Sequence, residues 1–248
     1  MYKLTFNGIE PPSFLKVTGI DQNILPDIEH YNTAITGMYG NIDGGIALNS
    51  KRFTVNYIIQ YEPDKDDSYY IDQLATWCMG DNYKIGKLKF DDTAYYYNAR
   101  VTDASDFTDS ILYGSGSIVF TASDPRKYSE TMWSKTLSST ETVTVTYTGI
   151  LPSPPIFYLT GSSKTTSIKI DNTANGDSVT ISGKAGELSG NIVIDCNRKY
   201  VSVGGVKHME LLTIDSDWIK LIPGDNPIAI TVGGTDITSA TVKLRLFK

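Results

Sequence analysis

The stretch Lys51-Arg52-Phe53-Thr54-Val55-Asn56-Tyr57-Ile58-Ile59-Gln60-Tyr61 decides the fold class. Phe53, Val55, Tyr57, Ile59 and Tyr61 alternate with mostly polar neighbours, and Pro63 ends the run. A two-residue period puts every second side chain on one face, the signature of a strand with one buried side. Working back toward the N-terminus, Thr36 to Gly45 holds Gly37, Gly40, Gly44 and Gly45 and reads as a long loop or hairpin tip. Tyr2, Leu4 and Phe6 alternate as a first strand that Pro11-Pro12 stops.

Working forward, one helix is expected over residues 67–79. Asp66, Asp67 and Ser68 are N-cap candidates, and Gly80 is a stop. Ile71, Leu74, Ala75 and Cys78 at i, i+3, i+4 and i+7 define its expected buried face. Strands are expected over 85–90 and 94–102, joined at Asp91-Asp92, and a further strand contains Ile118 and Phe120. Near residue 134 the composition shifts, and nine of the fifteen residues from Ser134 to Thr148 are Ser or Thr. Val143, Val145 and Tyr147 begin a strand inside that stretch, and Pro152-Ser153-Pro154-Pro155 is a rigid break that sets the angle of the second domain. Short alternating segments then recur: Ile156/Tyr158, Ile168/Ile170, Val179/Ile181, Ile192/Ile194, Leu211/Thr213, Ile228/Ile230 and Val242/Leu244/Leu246. Such spacing predicts an antiparallel sandwich. Pro223-Gly224-Asp225-Asn226-Pro227 is expected to join strands Trp218–Ile222 and Ile228–Val232, with Gly224 or Asn226 at positive φ.

The expected architecture is therefore mainly β, with two domains, 1–133 and 134–248, and a boundary somewhere in 130–155. A length of 248 residues suits two domains, and 40% hydrophobic with 20% charged residues suits a folded chain. With 21 Gly, 10 Pro and 16 Tyr the composition favours strands and turns over helices.

The net charge of -6 argues against general nucleic-acid affinity. The acid is concentrated: residues 1–133 carry 11 basic and 18 acidic residues, whereas 134–248 carry 11 and 10. The N-terminus has no signal-peptide pattern and no apolar run reaches membrane-spanning length, so no membrane role is expected. The expected place of synthesis is the cytoplasm, with export only inside a larger particle.

Nothing in the chain composes a catalytic, cofactor-binding or metal site. His30 and His208 lie in different halves without a Cys or second His at ligand spacing. Cys78 and Cys196 read as buried, reduced and unpaired. Tyr113-Gly114-Ser115-Gly116-Ser117 lacks the nucleophile-elbow spacing and reads as a β-bulge or hairpin element. The Asp64/Asp66/Asp67 and Asp103/Asp106/Asp109 runs lack the Gly and distal Glu of a calcium loop. Tyr95-Tyr96-Tyr97, Trp77, Trp133 and Trp218 could stack on sugars or simply fill cores.

The order of these segments resembles the distal tail proteins (Dit) of siphophages. The resemblance runs through Phe6-Asn7-Gly8, Arg52-Phe53-Thr54-Val55, Leu74-Ala75-Thr76-Trp77, Lys87-Leu88-Lys89-Phe90-Asp91-Asp92 and Tyr95-Tyr96-Tyr97-Asn98-Ala99-Arg100. It continues through Gly116-Ser117-Ile118-Val119-Phe120, Asp124-Pro125-Arg126-Lys127-Tyr128, Ile194-Asp195-Cys196 and Trp218-Ile219-Lys220-Leu221-Ile222-Pro223-Gly224-Asp225-Asn226-Pro227-Ile228. Arg126 stands where the family commonly has an aromatic after Asp-Pro. The resemblance implies a non-enzymatic structural protein of the virion tail tip, in its short form without an inserted carbohydrate-binding module. It implies an N-terminal sandwich or barrel-like belt domain with one helix, which forms a homo-hexameric ring, and a C-terminal galectin-like sandwich. The implied partners are the tail tube protein above, the tail-associated hub below, and possible contacts with the tape measure and side receptor-binding proteins. Genome DNA would pass through the channel without specific binding.

Two other classes compete. One is a monomeric carbohydrate-binding adhesion module; the other is a peptidoglycan hydrolase component. The Gly-rich 36–45 and acidic 61–70 and 103–110 segments are natural reach-out loops on a rigid scaffold. If the N-terminal domain surrounds a channel, six copies carry roughly -42 formal charges, and acids among Asp43, Asp64, Asp66, Asp67, Asp103, Asp106 and Asp109 would repel passing phosphate.

Overall fold

The computed structural model describes residues 3–79, 84–91, 93–104, 113–234 and 237–248. The chain divides into two compact units, Met1–Tyr128 and Ser129–Lys248. They meet five residues before the 133/134 division expected from composition. The reason is hydrogen bonding: Ser129 N–H donates to Leu246 O, and Leu137 N–H donates to Ala240 O, so 129–137 already lies along the C-terminal strand.

The first unit contains β1 (Leu4–Phe6), β2 (Leu15–Gln22), β3 (Ile28–Ala34), β4 (Asn41–Leu48), β5 (Lys51–Gln60), α1 (Asp67–Met79), β6 (Gly86–Phe90), β7 (Tyr95–Ala104) and β8 (Tyr113–Ala122), with β9 (Tyr128–Ser129) at the division. The main sheet runs β1-β6-β7-β8-β5-β2. It curls over its own core: Phe6 of β1 meets Phe120 of β8 with ring centroids 5.2 Å apart, and Phe53 of β5 meets Phe90 of β6 at 5.2 Å. Phe53, Val55, Tyr57 and Ile59 are all buried, as their alternation requires.

Helix α1 packs into the same core, capped by Asp66, whose Oδ1 accepts from Tyr69 N–H at 3.0 Å. Its buried residues are Tyr70, Leu74, Trp77 and Cys78. Spacing alone points to Ile71, Leu74, Ala75 and Cys78, yet Ile71 is 47% exposed. The helix is rotated because Tyr70 and Trp77 bury more apolar area than Ile71 and Ala75 can. Trp77 Nε1 also reaches Ile9 O at 3.4 Å, and Tyr70 Oη accepts from Glu62 N–H at 2.6 Å. The expected stop at Gly80 and the Asp92 half of the Asp91-Asp92 turn lie outside the described residues; Asp91 itself has φ 52°.

The Gly114-Ser115-Gly116 stretch is not a bulge but part of β8, which pairs antiparallel with the preceding strand β7. It is regular strand in unbroken register with β5. Gly116 is there for space: a Cβ would lie 2.5 Å from Tyr57 Oη.

The second unit contains β10 (Trp133–Thr136), β11 (Val143–Tyr147), β12 (Ile156–Gly161), β13 (Ser167–Asn172), β14 (Ser178–Ser182), β15 (Gly190–Asp195), β16 (Tyr200–Val203), β17 (Val206–Lys207), β18 (Gly224–Gly233) and β19 (Ser239–Leu244). One sheet runs β10-β19-β12-β15-β16-β17 and the other β11-β18-β13-β14. Phe157, Ile192, Ile194 and Val242 from the first share a core with Ile168, Ile170, Ile181 and Ile228 from the second. This is an antiparallel sandwich.

Two expected strands are replaced by other structure. Residues around Leu211 form a short 3-10 turn, Met209–Leu211. Trp218–Ile222 is not a strand either; Leu221 forms only an isolated bridge with Ser153. The segment is tied by side chains instead: Asn172 Nδ2 donates to Lys220 O at 3.1 Å, and Ile222 N–H donates to Asn226 Oδ1 at 3.0 Å. Gly224, at φ 99°, takes the positive angle, and Asn226 is fully buried.

Candidate assembly surface

Among the described residues, strands β3 and β4 pair only with each other and form a two-stranded arm. Seven residues of strand extend it by roughly 20 Å. Isolated hairpins of this kind are at best marginally stable in water. The arm's root is fastened by Asp27 N–H to Ser50 O at 3.1 Å and Asn49 N–H to Asp27 O at 2.7 Å. The register slips between His30 and Asn32, opposite Gly44, where a Cβ would sit 2.7 Å from Tyr31 O. Asp43 Oδ1 accepts from Gly45 N–H at 2.8 Å and shapes that bulge. Gly37 (φ 88°) and Gly40 (φ 86°) turn the tip. The loose segment expected over 36–45 is therefore only partly loose, since β4 begins at Asn41.

The arm and its approach are apolar and uncovered. Ile24 is 93% exposed and Tyr39 106%, and Leu25, Met38, Ile42, Ile46 and Leu48 are also exposed. Ile28 and Leu48 are direct cross-strand partners, both in solvent. Exposed apolar surface concentrated on one element marks a contact with another chain.

Of the residues weighed for chemistry, only His30 and Asp43 lie on the arm. His30 is exposed on the arm. His208 Nδ1 lies 2.7 Å from Glu210 Oε1, and that hydrogen bond lowers the Glu210 pKa. Cys78 and Cys196 are buried and unpaired. Burial pushes each thiol up to about 12, so neither is a nucleophile near neutrality. Among the described residues no group of three His, Cys, Asp or Glu is placed to hold a metal, and no helix is long and apolar enough to cross a membrane. Trp77, Tyr96 and Tyr97 are buried, and Trp133 and Trp218 are partly buried against the C-terminal core. Asp43, Asp64, Asp66, Asp67 and Asp103 are exposed; Asp106 and Asp109 lie outside the described residues.

Residues 148–245 match the family model for the siphovirus-type tail component, C-terminal domain. The whole fold is similar to the crystal structure of the Dit protein of phage SPP1, described as a paradigm of hub adsorption apparatus in phages infecting Gram-positive bacteria. The TM-score is 0.81 at 17% identity, covering 100% of this chain and 99% of that one. Residues 148–245 therefore carry the siphovirus-type tail component domain, and the chain as a whole has the fold of the SPP1 protein. The baseplate of phage p2 in its activated conformation with strontium matches at a TM-score of 0.49 and 9% identity over 98% of this chain and 97% of that one. No curated protein matches the chain. Beside that matched domain, the arm is the feature of the N-terminal unit that its own core leaves uncovered.

Proposed function

We propose that this protein is a distal tail protein of the Dit kind that works by self-assembly, forming a hexameric ring at the tail tip of a virion, with the β3–β4 arm as a principal contact between copies. In this reading the N-terminal unit, extending to about residue 133, builds the ring and the C-terminal unit is a galectin-like domain projecting from it. The ring joins the tail tube to the hub below and carries receptor-binding proteins at its side; the tape measure and then the genome use its channel. The supporting observation is the arm itself, a paired but uncovered hairpin bearing Tyr39, Ile42 and Ile46 in solvent. A closed ring buries such surface and leaves no free strand edges. Of the exposed acids, Asp43 and Asp103 are candidates for the channel rim, where they would keep DNA from adhering.

Light scattering and negative-stain microscopy of the purified chain test this. Six-fold rings are expected, and replacing Tyr39, Ile42 and Ile46 with Ser should leave folded monomers. A wild-type chain that stays monomeric while binding saccharides would overturn the reading in favour of a carbohydrate-binding module.

A further inference from the structure

Lys51 opens β5, and Lys127 lies just beyond the Asp124–Arg126 turn; both ammonium groups close on one aromatic ring. Lys51 Nζ lies 5.7 Å from the Tyr97 ring centroid and 5.8 Å from that of Phe53. Lys127 Nζ also lies 5.7 Å from the Tyr97 centroid. An aromatic face attracts a cation but does not neutralise it, and two cations on one ring repel each other. Burial, and then Lys127, lower the Lys51 pKa, which is the cost of this arrangement. Among the described residues neither lysine has a carboxylate at ion-pair distance. The Lys51 ammonium donates to Ile24 O at 3.3 Å. Two nearby acids are already engaged: Asp124 by Arg126 and Tyr128, and Asp21 by Asn56.

The far end of the same strand is the complement. Glu62, Asp64, Asp66 and Asp67 are all exposed. Lys65, between them, has its ammonium drawn 4.4 Å over the Tyr69 ring. Ten strand residues separate the two ends, roughly 30 Å at the rise of a strand. No single copy can bring its own lysines and its own acidic loop together.

We propose that Lys51 and Lys127 receive carboxylates from the 62–67 loop of a second copy of this chain. The contact is head to tail, the heterologous kind that closes into a ring when repeated. It rests on the self-assembly reading above and adds a charge-paired contact to the apolar arm. Charge complementarity of this type fixes register and is sensitive to salt.

The test is a charge swap on the full chain, read by light scattering across protein concentration and NaCl. Lys51→Glu with Lys127→Glu should raise the concentration needed for assembly by about ten-fold or more. Asp64→Lys with Asp67→Lys, which spares the Asp66 cap of α1, should do the same, and combining the two sets should bring assembly back to within about three-fold of wild type. Lys51→Gln with Lys127→Gln is the milder variant if the reversals lose their circular-dichroism signature of folding; it should weaken assembly and flatten its salt dependence. Wild-type rings that neither the Gln nor the Glu variants weaken would overturn the inference while leaving the ring intact. Loss without rescue by the 64–67 swap would overturn the assignment of the acidic loop. A wild-type chain that never self-associates would overturn the ring reading itself.

Discussion

The C-terminal sandwich and the β3–β4 arm use the same residue types to opposite ends. In the sandwich, Ile168, Ile170, Ile192, Ile194 and Ile228 are completely buried. In the arm, Ile28, Ile42 and Ile46 sit on paired strands interrupted by one bulge and face solvent. Both are antiparallel ladders with paired backbones. The sandwich supplies the second sheet that covers its apolar face, whereas the arm has none among the described residues. Apolar residues on a strand therefore signal burial somewhere, and only the partner sheet decides whether that burial is internal or between molecules.

The largest expected effect breaks the comparison at its core. Phe157→Ala removes a fully buried ring from the sandwich and should destabilise that unit by about 3–5 kcal/mol in denaturant unfolding. Tyr39→Ser, in the arm, should leave monomer unfolding within about 0.5 kcal/mol of wild type and act only on assembly. Equal losses in the two unfolding curves would show that the arm is packed inside the chain after all.

A step down in size is Asn226, whose buried amide accepts from Asn172 and Ile222 N–H and donates to Ile222 O and Gly224 O. Asn226→Ala strands several of these groups and should cost about 2 kcal/mol or more, read from the same unfolding curves. A loss below about 0.5 kcal/mol would mean that water replaces the amide without penalty. Gly224, at φ 99° with open space where a Cβ would go, isolates the backbone contribution. Gly224→Ala should cost about 1 kcal/mol, all of it conformational.

These positions also explain what can be read from the sequence. Strands with one buried face, such as β5, β12, β13 and β15, announce themselves through alternation. The turn glycine at 224 is legible because few residues tolerate positive φ. Trp218–Ile222 carries strand-like residues but is held by Asn172 and Asn226, and side-chain hydrogen bonds leave no period to read. Spacing places the α1 face one position away from where it lies, because it does not say that Tyr70 and Trp77 outweigh Ile71. Of the candidate surface, the Gly-rich tip is visible as a reaching segment. The strands leading to it are not, since Ile28–Ala34 mixes Glu29, His30 and Asn32 with apolar residues, and neither face is hidden. The lysine pair is not legible at all: Lys51 and Lys127 are brought to one ring only by the fold.

The smallest expected effect concerns the end of the N-terminal unit, where Asp124 is gripped by Arg126 and Tyr128. Burial pushes the Asp124 carboxyl up, but hydrogen bonds from Arg126 and Tyr128 outweigh it and hold the pKa below the ordinary value. Arg126 Nη2 lies 2.6 Å from Asp124 Oδ2, and Tyr128 Oη donates to the same oxygen. A carboxylate with a depressed folded-state pKa contributes stability above its unfolded value, about 3.9, and that contribution is lost as pH falls through the lower folded value. Asp124→Asn removes the titrating group. Wild type should therefore lose more stability than the variant as pH falls from about 5 to about 2, while the offset between them stays constant above about pH 5. The pair is partly exposed, so screening by salt should shrink the difference further. Urea midpoints measured across that range decide it: parallel curves would mean that Asp124 titrates alike in both states, and that the Arg126 fork orders the turn without stabilising the fold.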